Sequence, residues 1–373
     1  MTATDISRRN GSRYGGQRIV VLGAGYAGLS AALRLAPHHR VVLVAPGGDF
    51  TERVRLHELA AGGRESVGHP LSRLLAGTGV RHVPARATAL DTATREVTTD
   101  GGDVLGYDRL VYALGSRTRT PGGASGDERF HTPETAAALR ERLRGGPGAL
   151  TVVGGGLTGI ETAAEIAQRH PDWRVRLVTA GELGGGLSGP GRAHVRAVLT
   201  ALGVSVAEGR HLSSAAEVDA DAVVWAASMV PNTQLAADAG LAVEEDTGRL
   251  SVDAALRSVT HPEILVAGDA AAGLRMSCAT AMPTGVRAAE TVLAEARGAQ
   301  PRPLRFRYLL QCVSLGREDG LIQFVRRDDS PRERIVTGRR AAWIKEQVVR
   351  STVGQLRFAA RRPGLARRVL TFG

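Results

Sequence analysis

Lysine and cysteine are almost missing from this chain of 373 residues. Lys345 is the single lysine, so arginine supplies nearly all of the positive charge behind a net charge of +11. The two cysteines, Cys278 and Cys312, provide neither a disulfide framework nor the ligand spacing of a metal site. The sequence therefore predicts no bound metal and favours a cytoplasmic protein.

Long apolar runs are missing too. No stretch approaches the roughly 18 apolar residues that a membrane-spanning helix needs, and residues 1–17 lack the apolar segment of a secretory leader. Aromatic residues make up 4% of the chain, and no basic helix has aromatic side chains set among its charges. This pattern argues against a nucleic-acid partner and favours solvated surface arginines.

The stretch at residues 18–45 carries the first informative motif. An apolar run at 19–22 predicts a buried parallel strand, and it leads into the G-x-G-x-x-G turn at 23–28 and then a helix. In such a turn Gly23 permits the tight bend, Gly25 lets a pyrophosphate approach the backbone, and Gly28 lets helix and strand pack closely. The first free N–H groups of the helix would then face the phosphates.

The same motif returns about 130 residues later. An apolar strand at 150–153 leads into a second glycine turn, with Gly154, Gly156 and Gly159 in the three glycine positions, and a helix follows. One such unit indicates one nucleotide cofactor. Two units in one chain indicate two cofactors, with electrons passing between them.

The final third of the chain changes character. Strand-like pieces at 306–310, 321–325 and 334–336 precede an amphipathic basic helix at 341–358. We expect this helix to pack on the rest of the protein or on a dimer partner. Peripheral contact with an anionic membrane surface is the alternative.

Four segments occur in a recognisable order: GAGYAG, YDRLVYALG, GGGLTGIE and ILVAGDAA. The set resembles the pyridine nucleotide-disulfide oxidoreductase superfamily of flavoproteins, and FTERVRLHELAAG looks most like the type II NADH dehydrogenase branch. The resemblance implies an α/β fold of two Rossmann-like dinucleotide-binding domains, with the NAD(P) domain inserted in the FAD domain, plus a C-terminal α+β region. The expected divisions are a disordered tail at 1–17, the FAD-binding domain at 18–118 and 255–300, the NAD(P)-binding domain at 119–254, and an interface or substrate-access domain at 301–373.

The resemblance also implies roles for individual residues. The expected FAD contacts are Gly23, Gly25, Tyr26, Ala27, Gly28, Ala87, Ala113, Gly115, Gly268, Asp269, Thr280, Ala281 and Met282. The expected NAD(P)H contacts are Gly154, Gly156, Leu157, Thr158 and Gly159. Two catalytic candidates follow, Glu161 near the nicotinamide and flavin, and Arg55 as a charge that balances a reduced flavin or a bound acceptor.

Two departures from the superfamily pattern matter. The first FAD-side helix has no C-x-x-x-x-C pair, which disfavours thiol-disulfide chemistry and leaves Cys278 and Cys312 as packing residues. The ribose-binding acid that usually ends the second strand of each unit is replaced by Ala45 and by Thr179. The choice between NAD and NADP therefore stays open, with Arg192 a loose candidate for a 2′-phosphate contact.

We interpret the chain as an FAD-dependent oxidoreductase that moves hydride from NAD(P)H to the flavin and passes electrons to a second acceptor, a quinone. Three alternatives stay open. They are a reductase of a small iron-sulfur protein, a flavin-dependent dehydrogenase or oxidase of a small metabolite with a vestigial nicotinamide site, and a redox-sensing flavoprotein that is not an enzyme. The sequence leaves open whether the chain is a monomer or a homodimer.

Overall fold

A computed structural model describes residues 16–122, 124 and 126–361. Almost all of the predicted tail at 1–17, and the arginine-rich segment that follows residue 361, lie outside the described residues. No helix in the described part of the chain is both long and apolar enough to span a membrane.

A parallel five-stranded sheet forms the first half. Its strands are β1 (Arg18–Leu22), β2 (Arg40–Val44), β5 (Arg81–Val83), β9 (Arg109–Tyr112) and β17 (Ile264–Val266). They lie in the order β17-β9-β1-β2-β5. Their side chains are buried on both faces because helices cover one face and a three-stranded meander with a short helix covers the other.

The smaller elements of this half surround that sheet. The helices are α1 (Tyr26–Leu35), α2 (Leu56–Ala60), α3 (Leu71–Leu74), α7 (Gln234–Asp238) and α8 (Cys278–Glu295). The additional strands are the β3–β4 hairpin (Asp49–Thr51 and Gly68–Pro70) and the meander β6–β8 (Ala87–Asp91, Glu96–Thr99 and Val104–Gly106). Gly285 lets α8 lie directly on α1, since a Cβ there would be 2.1 Å from the Ala27 carbonyl oxygen.

The second half repeats the plan. Its strands are β11 (Phe130–His131), β12 (Ala149–Val153), β13 (Arg174–Val178), β14 (Ser205–Ala207) and β15 (Ala222–Trp225), and its helices are α4 (Ala136–Arg144), α5 (Leu157–Arg169) and α6 (Gly189–Ala201). The parallel order is β11-β15-β12-β13-β14. An antiparallel pair, β10 (Ser116–Thr118) with β16 (Met229–Pro231), connects the two halves.

The C-terminal region is an antiparallel sheet and a long helix. Its elements are β18 (Leu310–Ser314), β19 (Gly320–Val325), β20 (Pro331–Thr337) and α9 (Gly338–Arg361). The first strand begins at Leu310, at the end of the predicted 306–310. Phe306 and Tyr308 lie before it and pack edge to face on each other, with ring centroids 4.9 Å apart.

The helix α9 returns to the first half of the molecule. Val353, Leu356 and Ala359 join the hydrophobic core that surrounds α1. This contact confirms that the amphipathic helix packs on the rest of the protein. The predicted α/β class, with two Rossmann-like sheets and a C-terminal α+β region, is confirmed, whereas the domain boundaries remain a prediction.

Candidate functional site

The first glycine turn connects β1 to α1. Gly23 has φ +98°, and a Cβ on it would be 2.4 Å from the Ala113 carbonyl oxygen. A Cβ on Gly28 would be 1.8 Å from the Gly23 carbonyl oxygen, whereas a Cβ on Gly25 would meet nothing within 4 Å. The first and third glycines are therefore needed for close packing, and the second opens onto free space beside the N-terminus of α1.

The second turn, between β12 and α5, repeats this stereochemistry. Gly154 has φ +124°, and a Cβ on Gly159 would be 1.9 Å from the Gly154 carbonyl oxygen. A Cβ on Gly156 would meet nothing within 4 Å, as at the first turn. No neighbouring atom therefore occupies the space that Gly156 faces.

Both helices present free donors at these turns. The first N–H groups of a helix have no intrahelical acceptor, and here the ladder begins with Leu29 donating to the Gly25 carbonyl and Ile160 donating to the Gly156 carbonyl, each at 3.0 Å. The N–H groups before them belong to Tyr26, Ala27 and Gly28 in α1 and to Leu157, Thr158 and Gly159 in α5. These donors and the helix dipole suit the binding of an anionic pyrophosphate.

The Gly-Asp turn after β17 lies beside the first glycine turn. Gly268 has φ +74°, a Cβ there would be 3.1 Å from Ala27 Cβ, and its N–H donates to Thr284 Oγ1 of α8 at 2.9 Å. Asp269 Oδ2 accepts a hydrogen bond from Ser116 Oγ at 2.7 Å. Its other oxygen, Oδ1, is buried without a partner among the described residues. Such an atom suits a donor on a bound ligand, because an unpaired buried acceptor is costly.

The remaining predicted FAD contacts lie in three other segments of the first half. Thr280, Ala281 and Met282 are buried near the start of α8, and Thr280 Oγ1 donates to the Arg275 and Ser277 carbonyls at 2.9 Å each. Ala113 is buried under the first turn, and Gly115 has φ +65°. Ala87 begins β6, in the segment that follows the edge strand β5.

Arg249 is a further charged residue beside Asp269. It is 9% exposed, and its Nε donates to the Asp269 carbonyl oxygen at 3.1 Å. Burial lowers the pKa of this guanidinium, and the nearby Asp269 charge only partly opposes that effect. Within the described part of the chain, no carboxylate forms an ion pair with it, so an anionic ligand would be its natural partner.

Glu161 meets the single lysine of the chain. The Lys345 ammonium of α9 donates to Glu161 Oε1, which also accepts the Ser314 N–H at 3.0 Å. The Lys345 and Glu161 side chains are 12% and 13% exposed. Desolvation by burial lowers the pKa of Lys345 to about 7. Such a lysine can hold or release a proton near neutral pH.

His57 of α2 faces the other oxygen of this glutamate. Its Nδ1 is 3.8 Å from Glu161 Oε2, and its Nε2 is buried without a partner among the residues described. Burial, together with the charges of Lys345 and Arg317, holds the pKa of His57 well below its usual value. The imidazole is therefore neutral, and Glu161 lies between His57 of α2 and Lys345 of α9.

Arg55 lies in a dense group of charges next to this pair. Its guanidinium donates to Glu52 at 3.3 Å, to Glu58 at 2.8 Å and to Glu346 of α9 at 2.9 Å. Burial disfavours its charge, but these carboxylates outweigh that effect and raise the pKa of Arg55. Burial alone would raise the pKa of Glu346, but hydrogen bonds from Arg55 and Arg350 lower it to about 2. This geometry fixes α9 against α2.

Sequence reasoning missed three residues, two beside Asp269 and one beside Glu161. Ser116 and Arg249 carry no motif, so only the fold brings them to Asp269. Lys345 lies 184 positions from Glu161 along the chain. Its uniqueness among 48 basic residues is the signal that could have drawn attention to it.

Comparisons with known proteins identify the family of this chain. The family model described as pyridine nucleotide-disulphide oxidoreductase matches residues 17–285. An NADH dehydrogenase-like protein from Mycobacterium tuberculosis is 34% identical, with 80% of this chain and 86% of that protein covered. A demethylphylloquinone reductase from Synechocystis is 27% identical (82% and 86% covered), and a probable ferredoxin reductase from Castellaniella defragrans is 31% identical (77% of each covered).

A solved structure extends the likeness to the whole fold. The sulfide:quinone oxidoreductase from Aquifex aeolicus superposes with a TM-score of 0.79 at 18% identity, and 95% of each chain is covered. At that identity the match shows a shared architecture, the C-terminal region included.

Proposed function

Because this chain belongs to the pyridine nucleotide-disulphide oxidoreductase family, we propose that it is an FAD-dependent NAD(P)H oxidoreductase that delivers electrons to a quinone. The observation that carries the proposal is the pair of stereochemically matched glycine turns. Each has two crowded glycines around one that opens onto free space and onto free helix N–H groups.

The residues present suit both cofactors. At the first turn, the N–H groups of 26–28, the unpaired Asp269 Oδ1 and the buried Arg249 offer the donors, acceptor and positive charge that an FAD molecule requires. At the second turn, the open space at Gly156 suits a nicotinamide dinucleotide. Bound FAD would supply the chemistry, by accepting hydride from the dihydronicotinamide and yielding electrons to the acceptor.

The protein residues supply position and charge. We infer that the α1 and α5 N-termini hold the two pyrophosphates, and that Ser116 orients the Asp269 carboxylate. The start of α8, with Thr280, Ala281 and Met282, would place a positive helix end near the flavin. Ala87, Ala113 and Gly115 would let the cofactor pass close to the backbone.

Lys345 and Glu161 would serve the acceptor. Reduction of a quinone consumes two protons as well as two electrons, whereas a one-electron iron-sulfur acceptor needs no proton. A buried lysine whose pKa is about 7, paired with a buried glutamate, is a suitable local proton source. This pair favours a quinone, with Glu161 holding Lys345 and neutral His57 behind it.

Arg55 would act through position. All of its contacts with carboxylates are internal, and they connect α2 to α9 beside Lys345. We therefore propose Arg55 as a positioning residue that keeps Lys345 in place. Because these carboxylates occupy the guanidinium, its contacts favour this role over a direct contact with a flavin or an acceptor.

The reductase of a small iron-sulfur protein is the second candidate. The ferredoxin reductase relative supports it, and a net charge of +11 would suit an acidic protein partner. The Lys345 dependence of acceptor reduction distinguishes the two functions. Reduction of a quinone would depend on Lys345, whereas reduction of ferredoxin would not.

A quinone acceptor would bring the protein to a membrane surface. On the outer side of α9, Trp343 is 65% exposed and Val348 is 41% exposed, with Arg339 and Arg340 before them. Aromatic and basic side chains on one helix suit an interface with anionic lipid. Sedimentation with anionic vesicles, compared with neutral ones, tests this contact, and the choice between monomer and homodimer stays a prediction.

Anaerobic stopped-flow reduction of the FAD-loaded protein tests the main proposal. NADH or NADPH should bleach the flavin within seconds, and a water-soluble benzoquinone should restore its colour faster than ferredoxin does. Failure of both nucleotides would overturn the hydride-donor step and favour a metabolite dehydrogenase or oxidase. Fast oxidation by ferredoxin alone would favour the second candidate, and slow turnover with every acceptor would favour a redox sensor.

A further inference from the structure

The end of β13 has an unusual residue for a nicotinamide site. An acid at this position commonly binds the ribose hydroxyls of NAD, and here the position is Thr179. The Thr179 N–H donates to the Ala207 carbonyl at 2.9 Å, and its carbonyl accepts the Arg210 N–H at 3.0 Å. A Cβ on Gly155 would be 2.6 Å from Thr179 Oγ1, so the threonine lies directly under the second glycine turn.

The nearest acids are engaged with basic groups. Both carboxylate oxygens of Glu208 accept from Arg196 at 2.8 Å, and one also accepts the Leu183 N–H at 2.6 Å. The Glu182 side chain is 73% exposed and lies 3.7 Å from Arg192 Nε. Each of these two acids is therefore paired with an arginine, and neither stands at position 179 itself.

Positive charge reaches the same edge of the sheet. Arg210 follows β14, and its backbone is fixed beside Thr179 by the hydrogen bond just described. Its side chain is exposed, and no carboxylate in the described part of the chain forms an ion pair with it. Because the carboxyl ends of parallel strands form the ligand edge of such a sheet, this guanidinium is available to a bound nucleotide.

We propose that the second site selects NADPH over NADH, with Thr179 leaving room for the 2′-phosphate and Arg210 pairing with it. An arginine matches a phosphate with two parallel hydrogen bonds. The small threonine avoids the like-charge repulsion that an aspartate or glutamate would impose. This inference rests on the proposed function and specifies its hydride donor.

Two measurements test it. The rate and midpoint concentration of anaerobic flavin reduction are compared for NADPH and NADH, and the binding of adenosine 2′,5′-bisphosphate and of AMP is measured by calorimetry without any redox step. NADPH should be preferred by roughly tenfold or more, and the 2′,5′-bisphosphate should bind more tightly than AMP by a similar factor.

Variants separate the contributions. Arg210→Ala should weaken the binding of NADPH and of the bisphosphate by about tenfold and leave the binding of NADH unchanged. Arg174→Ala is the matched control, because Arg174 is an exposed arginine at the opposite end of β13. Thr179→Glu should shift the preference toward NADH. If that buried position does not tolerate glutamate, the exposed Arg210 variant still decides the question.

The possible failures are distinguishable. Equal or faster reduction by NADH, or equal binding of AMP and the bisphosphate, would overturn the NADPH preference and leave the proposed function intact. Reduction by neither nucleotide would overturn the proposed function and this inference with it. If Arg210→Ala lowered the affinities for NADPH and NADH by the same factor, that result would contradict a 2′-phosphate contact.

Discussion

Lys345 of α9 donates a hydrogen bond to Glu161 of α5. The single lysine of the chain therefore contacts the helix that begins at the second glycine turn. The two residues come from the C-terminal region and from a helix of the second half of the molecule. Ser314 of β18 donates to the same carboxylate oxygen at 3.0 Å. The pair is therefore assembled where α9 and β18 of the C-terminal region meet α5.

Replacing the lysine tests its role as proton source. Lys345→Met should slow reoxidation of the reduced enzyme by a quinone by roughly tenfold to hundredfold, because general acid catalysis contributes at least that much. Flavin reduction by NADPH should change little. Arg361→Met on the same helix is the control, since Arg361 is exposed and lies at the far end of α9 from Lys345. Ferricyanide is an acceptor that needs no proton, so an equal slowing of reoxidation by ferricyanide would contradict this role.

The same lysine predicts a pH profile. Its pKa is lowered to about 7 by burial, so it carries a proton below that pH and loses it above. Quinone reduction should therefore be constant below pH 7 and fall as pH rises through this value, approaching tenfold per unit. Lys345→Arg should abolish the fall, because arginine stays protonated throughout. A wild-type profile that is flat between pH 6 and 9 would contradict the assignment.

The open glycines allow the two nucleotide sites to be disabled separately. A Cβ on Gly25 or on Gly156 meets no protein atom within 4 Å, so alanine there should leave the melting temperature of the cofactor-free protein unchanged. Gly25→Ala should weaken FAD binding at least tenfold. Gly156→Ala should retain FAD and should weaken the binding of the nicotinamide nucleotide. The readouts are flavin fluorescence and nucleotide calorimetry.

The crowded glycines are the matched comparison. Gly28→Ala would bring a Cβ to 1.8 Å from the Gly23 carbonyl oxygen, so it should destabilise the protein even without cofactor, by about 1–3 kcal/mol. Equal melting temperatures for Gly25→Ala and Gly28→Ala would show that the turn is less tightly packed than described.

Asp269 provides a test of FAD binding. Its buried Oδ1 has no protein partner among the described residues, and Ser116 holds the other oxygen. Asp269→Ala should weaken FAD binding by roughly tenfold to hundredfold, since a hydrogen bond to a charged group contributes about 1.5–3 kcal/mol. Ser116→Ala should have a smaller effect. Reconstitution of the apoprotein, followed by fluorescence quenching, measures both, and unchanged affinity in Asp269→Ala would exclude the contact.

The sequence predicted the parts of the molecule that local physics determines. The glycine turns, the buried strands and the α/β class follow from short-range patterns, because backbone conformation and close packing act within a few residues. The contacts of Arg249, Ser116 and Lys345 join residues that are 20 to 184 positions apart. Such contacts depend on how whole sheets and helices meet, and no periodicity in the chain encodes them.

Arg55 illustrates the same limit. Its position in the chain suggested a charge close to a flavin or an acceptor. The fold surrounds it with Glu52, Glu58 and Glu346, and the last of these comes from a helix 291 positions away. Because burial makes its own charge costly, the arginine is stable only with those carboxylates around it.

Arg55 therefore predicts a structural phenotype with a functional consequence. Arg55→Met should leave three carboxylates close together in a buried site, which costs roughly 3–5 kcal/mol of unfolding free energy and lowers the melting temperature. Arg73→Met in α3 is the control, because Arg73 is exposed and forms no ion pair with a carboxylate among the described residues. If Arg55 holds α9 in place, the variant should also shift the pH at which quinone reduction falls, since the charges around Lys345 change. A loss of stability with an unaltered pH profile would separate α9 anchoring from the environment of Lys345, and wild-type stability would contradict the buried ion-pair network itself.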